Sequence, residues 1–109
     1  MSLYSQATAA MEARDVDQLM ALYHVDYQFV RHQSNTTMSR DQLYEMMKAM
    51  FSNDAVVRKD NRCIYENADI VVEHMVMDFP DGSTEAILAV HTLKDGQFFR
   101  SETGATPLK

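Results

Sequence analysis

The sequence predicts an α+β domain in which helices lie on one face of a largely antiparallel sheet. Apolar residues recur every three or four positions in the first half, as in amphipathic helices, and every second position after Asn53, as in strands. Two Asp-Gly pairs, at 81–82 and 95–96, mark tight turns between strands of the second half. Helices placed before a run of strands are typical of α+β architectures.

Length and composition restrict the class of protein. A chain of 109 residues and 12.5 kDa, 46% of them hydrophobic, predicts one globular domain covering residues 1–109. A net charge of −6 argues against a nucleic acid partner, and no apolar run is long enough to cross a membrane. Cys63 is the single cysteine and the first residues lack a signal-peptide pattern, so we expect a cytoplasmic protein without disulfides.

The first half contains the predicted helices. Ala7, Ala10 and Met11 mark the first, and Asp15 is a good N-cap for a short second helix. Residues 25–32 alternate as a strand does, and the polar residues 33–37 read as a loop.

Ser39 is the predicted N-cap of a third helix that ends near Phe51. Strands are predicted at 55–65, 70–79, 84–93 and 98–103. The predicted order is therefore α-α-β-α-β-β-β-β.

Three short motifs resemble those of the NTF2-like superfamily, in its SnoaL-like and ketosteroid-isomerase-like branches. They are residues 14–23, a charged turn before Leu-x-x-Leu-Tyr, residues 26–29, similar to an Asp-x-x-Phe strand, and residues 95–98, similar to an Asp-Gly turn into the last strand. The resemblance implies a cone in which the helices pack on a curved, mixed sheet around an apolar pocket. It also implies that a homodimer is common.

The two Asp-Gly turns give a provisional register. With Pro80 opposite Ser83 and Lys94 opposite Gln97, one face of the sheet is the more apolar, and we assign it to the pocket. A slip of one residue would exchange the faces. The predicted pocket lining is Tyr27, Phe29, Met75, Met77, Leu88, Val90, Phe99 and Ser101.

Two charged residues share this predicted lining, Glu73 and Arg31. A carboxylate in an apolar pocket has a raised pKa, which suits proton transfer near neutral pH, so Glu73 is the candidate catalytic acid or base. Arg31 stays protonated and is the candidate for holding a carboxylate or a polarised carbonyl. The alternatives are a structural Arg31–Glu73 pair, or a pair between Glu73 and Arg62.

The resemblance also bears on steroid isomerisation, the activity of the ketosteroid isomerases. The positions that carry the base, the tyrosine and the protonated aspartate of ketosteroid isomerases fall on Arg31, Ala7 and Val90. None of these three side chains can replace its counterpart, so steroid isomerisation is not expected.

The opposite face of the sheet is also rich in apolar residues, and exposed apolar patches mark interfaces. We therefore expect a homodimer through this outer face, with His74, His91, Phe98 and Arg100 in the contact. Two histidines without nearby carboxylates at ligand spacing do not form a zinc signature, so no metal or other cofactor is expected.

The function expected from the sequence is that of a SnoaL-like protein with an apolar pocket for a small oxygenated or carboxylate-bearing molecule. A cyclase, isomerase or hydrolase activity fits this pocket. The alternative is a non-catalytic module, either for ligand binding or for dimerisation with a filled pocket. The sequence does not decide whether the protein is an enzyme.

Overall fold

The computed structural model describes residues 2–108, which form three helices and six strands. The helices are α1 (Leu3–Ala13), α2 (Val16–Met20) and α3 (Arg40–Phe51); the strands are β1 (Tyr23–Arg31), β2 (Thr36–Ser39), β3 (Val57–Glu66), β4 (Ile70–Asp78), β5 (Thr84–Lys94) and β6 (Gln97–Leu108). The α+β class is confirmed. The short strand β2 was not predicted; its first two residues, Thr36 and Thr37, lie in the segment predicted as a loop.

The six strands form one open, mixed sheet in the order β2-β1-β6-β5-β4-β3. Strands β1 and β6 run parallel, and every other neighbouring pair is antiparallel. The pairing of β1 with β6 places the first strand of the chain beside the last one. The helices close over the concave face of this sheet.

Local capping explains where the helices begin. The side chains of Ser2, Asp15 and Ser39 each accept a hydrogen bond from a backbone N–H of the first turn, and Ser39 forms a capping box with Gln42. Arg14 ends α1 in a left-handed conformation. Its guanidinium donates to four carbonyls at the end of α3 and in the segment that follows, those of Met50, Phe51, Asn53 and Val56.

The turn between β4 and β5 is one residue longer than predicted. The N–H of Phe79 donates to the carbonyl of Ser83, so the loop holds three residues, Pro80, Asp81 and Gly82. Gly82, with φ +86°, supplies the left-handed residue that closes such a three-residue turn. Asp78 consequently pairs with Thr84 and Glu73 with Ala89. The predicted register was wrong by one residue, and the two faces of β5 are exchanged.

The turn between β5 and β6 agrees with the prediction. Asp95 and Gly96 both have positive φ, and Lys94 pairs with Gln97. The register then shifts by one residue between Thr92 and Leu93, as in a β-bulge. Because of this shift, Ser101 and Thr103 lie on the inner face, as predicted. Phe98, which was predicted on the outer face, also points inward.

The hydrophobic core joins the helices to the inner face of the sheet. Its fully buried members include Ala10, Leu19, Leu43, Val71 and Phe98. No helix within residues 2–108 is long and apolar enough to cross a membrane. Above this core the helices and the sheet separate, and a cavity opens between them.

Candidate functional site

The cavity lies between α1, α3 and the inner face of the sheet, and its volume is about 1180 Å³. Four of the predicted lining residues, Tyr27, Phe29, Met75 and Met77, do line it. Methionines are the commonest lining type, with Met11, Met38, Met46, Met47 and Met50 added to the two on β4. Their flexible thioethers give a wall that adapts to an apolar molecule.

The change of register corrects the remaining predicted lining. Leu88, Val90 and Phe99 lie on the outer face and do not line the cavity, and 46% of Leu88 is exposed. Ser101 does lie on the inner face, but it is fully buried behind the cavity wall.

The same correction applies to the predicted outer face. His91 and Phe98 are buried and line the cavity, so neither belongs to an outer interface. The inward position of His91 brings an imidazole to Glu73, which sequence reasoning had placed on the other side of the sheet.

Glu73 lies at the centre of a buried polar chain. Its Oε1 accepts a hydrogen bond from Nη2 of Arg58 at 3.0 Å, and its Oε2 lies 2.6 Å from Nε2 of His91. Nδ1 of His91 lies 2.5 Å from Oγ of Ser101, which in turn is hydrogen-bonded to the Tyr27 side chain. All of these residues except Ser101 line the cavity.

The acceptor in this chain is the Glu73 carboxylate, which accepts hydrogen bonds from Nη2 of Arg58 and from Nε2–H of His91. Nδ1 of His91 and the Ser101 hydroxyl share the next hydrogen bond. The chain connects two points of the cavity wall, the Glu73 carboxylate and the Tyr27 ring.

Charges and burial set the ionisation of the site. Burial tends to raise the pKa of Glu73, but the hydrogen bond and charge of His91 together with Arg58 outweigh it, so the pKa is lowered. The expected rise was therefore wrong, and Glu73 is ionised at neutral pH. Burial raises the pKa of Tyr27 and that of Tyr23, so both phenols stay protonated.

Arg31 lines the cavity as predicted, but its partner is not Glu73. Its Nη2 lies 2.8 Å from Oε1 of Glu85 and 2.7 Å from Oε1 of Gln33. The predicted Arg31–Glu73 pair is thus replaced by two separate pairs. The alternative pair with Arg62 is also wrong, since Arg62 is exposed and lies opposite His74.

Arg58 and Glu85 are the site residues that sequence reasoning missed. Arg58 belongs to the polar strand β3, where bulges interrupt the alternation that would have shown which side chains point inward. Glu85 follows directly from the corrected register, because it shares the inner face of β5 with Ile87, Ala89 and His91.

Part of the wall near α1 is polar and incompletely paired. The Asn61 amide donates to the hydroxyl of Tyr4, but Oδ1 of Asn61, Oγ1 of Thr8 and Nε of Arg58 are buried without a hydrogen-bond partner among the described residues. Such groups cost stability. Within residues 2–108, no three His, Cys, Asp or Glu side chains are grouped to hold a metal ion.

A helix-covered, open mixed sheet with a large apolar cavity defines the NTF2-like class of fold. The family model described as SnoaL-like domain matches residues 4–101, which is most of the chain. The protein belongs to this family of SnoaL-like domains.

Solved structures share this fold. An NTF2-like protein of unknown function from Burkholderia xenovorans LB400 superposes with a TM-score of 0.79 at 13% identity, over 98% of this chain and 82% of that one. A second NTF2-like protein of unknown function, from Mesorhizobium loti, superposes with a TM-score of 0.82 at 9% identity, over 95% of this chain and 88% of that one.

A protein with a ketosteroid isomerase-like fold from Catenulispora acidiphila was solved in complex with trimethylamine. It superposes with a TM-score of 0.72 at 16% identity, over 94% of this chain and 83% of that one. At these identities the likeness shows the fold alone. No curated protein matches the sequence.

Proposed function

We propose that this domain binds a small, mostly apolar, oxygenated molecule in the cavity and moves a proton on it, as an isomerase or a cyclase does. The observation that carries the proposal is the contact of 2.6 Å between Glu73 and His91 on the wall of a methionine-rich cavity. A carboxylate that is ionised at neutral pH and fixed by hydrogen bonds on the wall of an apolar cavity can accept a proton from a bound molecule.

In the proposed reaction, the Glu73 carboxylate removes a proton from a carbon next to a carbonyl group. The electron pair of the C–H bond forms a C=C bond while the π pair of the carbonyl moves to its oxygen, which gives an enolate. In a substrate with a further C=C bond conjugated to this enolate, Glu73 returns the proton to the far carbon of that bond, the double bond shifts, and the carbonyl re-forms. The Tyr23 hydroxyl, kept protonated by burial, donates a hydrogen bond to the enolate oxygen. His91 and Arg58 hold the carboxylate in place during both transfers.

The same cavity supports a second candidate, a binding module without catalysis. The resemblance to ketosteroid isomerases favours it: it implies that Arg31 and Ala7 stand where those enzymes carry their base and their tyrosine, and Val90, the third expected position, lies on the outer face. A filled pocket is harder to support, because the cavity volume of about 1180 Å³ exceeds that of most small-molecule sites.

The test measures proton transfer without knowledge of the natural substrate. The protein is incubated in D₂O with propiophenone or 3-cyclohexenone, and deuterium uptake next to the carbonyl is followed by NMR. We expect exchange above the buffer rate in the wild type and a loss of roughly 100-fold or more in Glu73→Gln.

Glu12→Gln is the matched control, since Glu12 also lines the cavity but is exposed on α1. It should exchange as the wild type does. Equal exchange by the wild type and Glu73→Gln would remove Glu73 from the mechanism. Wild-type exchange at the buffer rate for both ketones would favour the binding module.

We also propose a homodimer through the outer face, with His74, Arg100 and the exposed Leu88 in the contact. Leu88→Glu should then halve the mass measured by light scattering. An unchanged mass would contradict this interface. The cytoplasmic location and the lack of a cofactor stay predictions.

A further inference from the structure

We propose that Arg31 and Glu85 form a specificity site in the cavity, which binds a neutral oxygen, such as a ketone or ester carbonyl, and rejects a carboxylate. This inference rests on the proposed function in requiring that the cavity bind a small molecule. The inference adds the chemical class of the ligand group that binds at Arg31, away from Glu73.

Arg31 combines unused donors with access to the cavity. The guanidinium of Arg14 donates to four backbone carbonyls, and that of Arg58 donates to Glu73 and belongs to a side chain that is only 15% exposed, with its Nε buried. Arg31 uses only Nη2, for Glu85 and Gln33; its Nε and Nη1 make no hydrogen bond to any residue from Ser2 to Leu108. About a third of its side chain is exposed, so these donors are accessible.

The charge of Arg31 is already balanced. The Glu85 carboxylate lies 2.8 Å from its Nη2, and the Glu85 side chain is only 13% exposed. A carboxylate ligand would therefore meet Glu85 as well as Arg31, and it would lose its hydration without gaining a free cation. A neutral carbonyl oxygen accepts a hydrogen bond from Nη1 or Nε without this repulsion.

The site also lies far from the proton-transfer pair. Glu85 and His91 are six residues apart on β5, which corresponds to about 20 Å in an extended strand. The inner-face residues between them are Ile87 and Ala89, and Met75 and Met77 lie on the neighbouring strand. The ligand that fits is an elongated apolar molecule with a neutral oxygen at the Arg31 end.

Calorimetric titration with two probes of one chain length tests this proposal. The probes are 2-nonanone, which carries a neutral carbonyl, and nonanoate, which carries a carboxylate. We expect the wild type to bind 2-nonanone more tightly. Arg31→Met should weaken 2-nonanone binding roughly tenfold, since hydrogen bonds to charged groups are of that strength.

Glu85→Gln gives the more specific result. The amide keeps the size of the side chain and a hydrogen bond to Arg31, but it leaves the cation unbalanced. Nonanoate binding should therefore strengthen roughly tenfold, while 2-nonanone binding changes less than about threefold. The double variant Arg31→Met, Glu85→Gln removes both charges and so leaves no unpaired carboxylate that could destabilise the fold. It should bind 2-nonanone as weakly as Arg31→Met does, and it replaces Arg31→Met in the titration if that single variant does not fold.

Unchanged 2-nonanone binding in both Arg31 variants would overturn the proposal, as would an unchanged preference in Glu85→Gln. If the wild type binds neither probe, binding in the cavity fails and this site fails with it. The deuterium exchange of Glu73→Gln reports on the proton-transfer pair separately, so the two proposals can fail independently.

Discussion

Glu73 and His91 meet diagonally across two neighbouring strands. In the ladder of β4 and β5, Glu73 lies opposite Ala89 and His91 opposite Val71, yet Oε2 and Nε2 are 2.6 Å apart. The small Ala89 leaves the space in which the two side chains lean toward each other. With Arg58 on the next strand, they form a buried, hydrogen-bonded polar group in the cavity wall.

Arg58→Met should destabilise the protein strongly. It leaves the Glu73 carboxylate buried without its cation, and breaking a buried pair in this way costs about 3 kcal/mol. Urea unfolding measures the loss. Arg62→Met, on the same strand but exposed, is the control and should stay within about 0.5 kcal/mol of the wild type. Equal effects of the two substitutions would argue against the buried pair.

The stability of the wild type should fall in acid. The pKa of Glu73 is lowered in the folded state from its ordinary value of 4.5, so its contribution is complete above that value and is lost as the pH drops through the folded pKa. Thermal unfolding between pH 7 and pH 3 should show a shallower decline for Glu73→Gln than for the wild type. Parallel declines would mean that Glu73 titrates alike in both states.

Thr8→Val should stabilise the protein by up to about 1 kcal/mol. The Thr8 hydroxyl is buried without a partner among the described residues, and valine keeps the shape while removing the unpaired group. Thr8→Ser keeps the hydroxyl and loses a methyl group, so it should be less stable than the wild type. A loss of stability in Thr8→Val would show that the hydroxyl is hydrogen-bonded in solution.

Gly82→Ala should destabilise the protein by about 1 kcal/mol. A methyl group on the Gly82 Cα would meet no atom within 4 Å, so the cost comes from the left-handed backbone at φ +86°. Gly104→Ala is the matched control: Gly104 lies in β6 with equal open space and without a positive φ. It should be neutral or slightly stabilising. Thermal unfolding that ranks the two alanine variants the other way would contradict the assigned turn.

Much of the fold could be predicted because local signals agree with it. Asp15 and Ser39 begin helices as N-caps, and the Asp95-Gly96 turn has the backbone that such a pair favours. Strand β2 was missed, because its four residues, of which only Met38 is apolar, carry no periodic signal and pair with β1 only in the folded sheet.

The candidate site was predicted less well than the fold, because the predicted register between β4 and β5 was wrong by one residue. Glu73 and Arg31 were placed on the cavity wall, but a turn one residue longer than expected turned His91 and Glu85 inward and Leu88 outward. An Asp-Gly pair fits both turn lengths, so no local feature distinguishes them. The partners Arg58 and Glu85 depend on long-range strand pairing, which a single sequence does not display.

The length of the Pro80–Gly82 turn thus has a consequence for how such proteins diverge. Removing one residue from it would leave the topology intact and present Leu88 and Val90 to the interior instead of Ala89 and His91. Glu73 and Arg31 would stay on the cavity wall, while their partners on β5, His91 and Glu85, would turn to the outer face. A single deletion at the surface would then remove both partners from the wall at once, which no single point substitution can do.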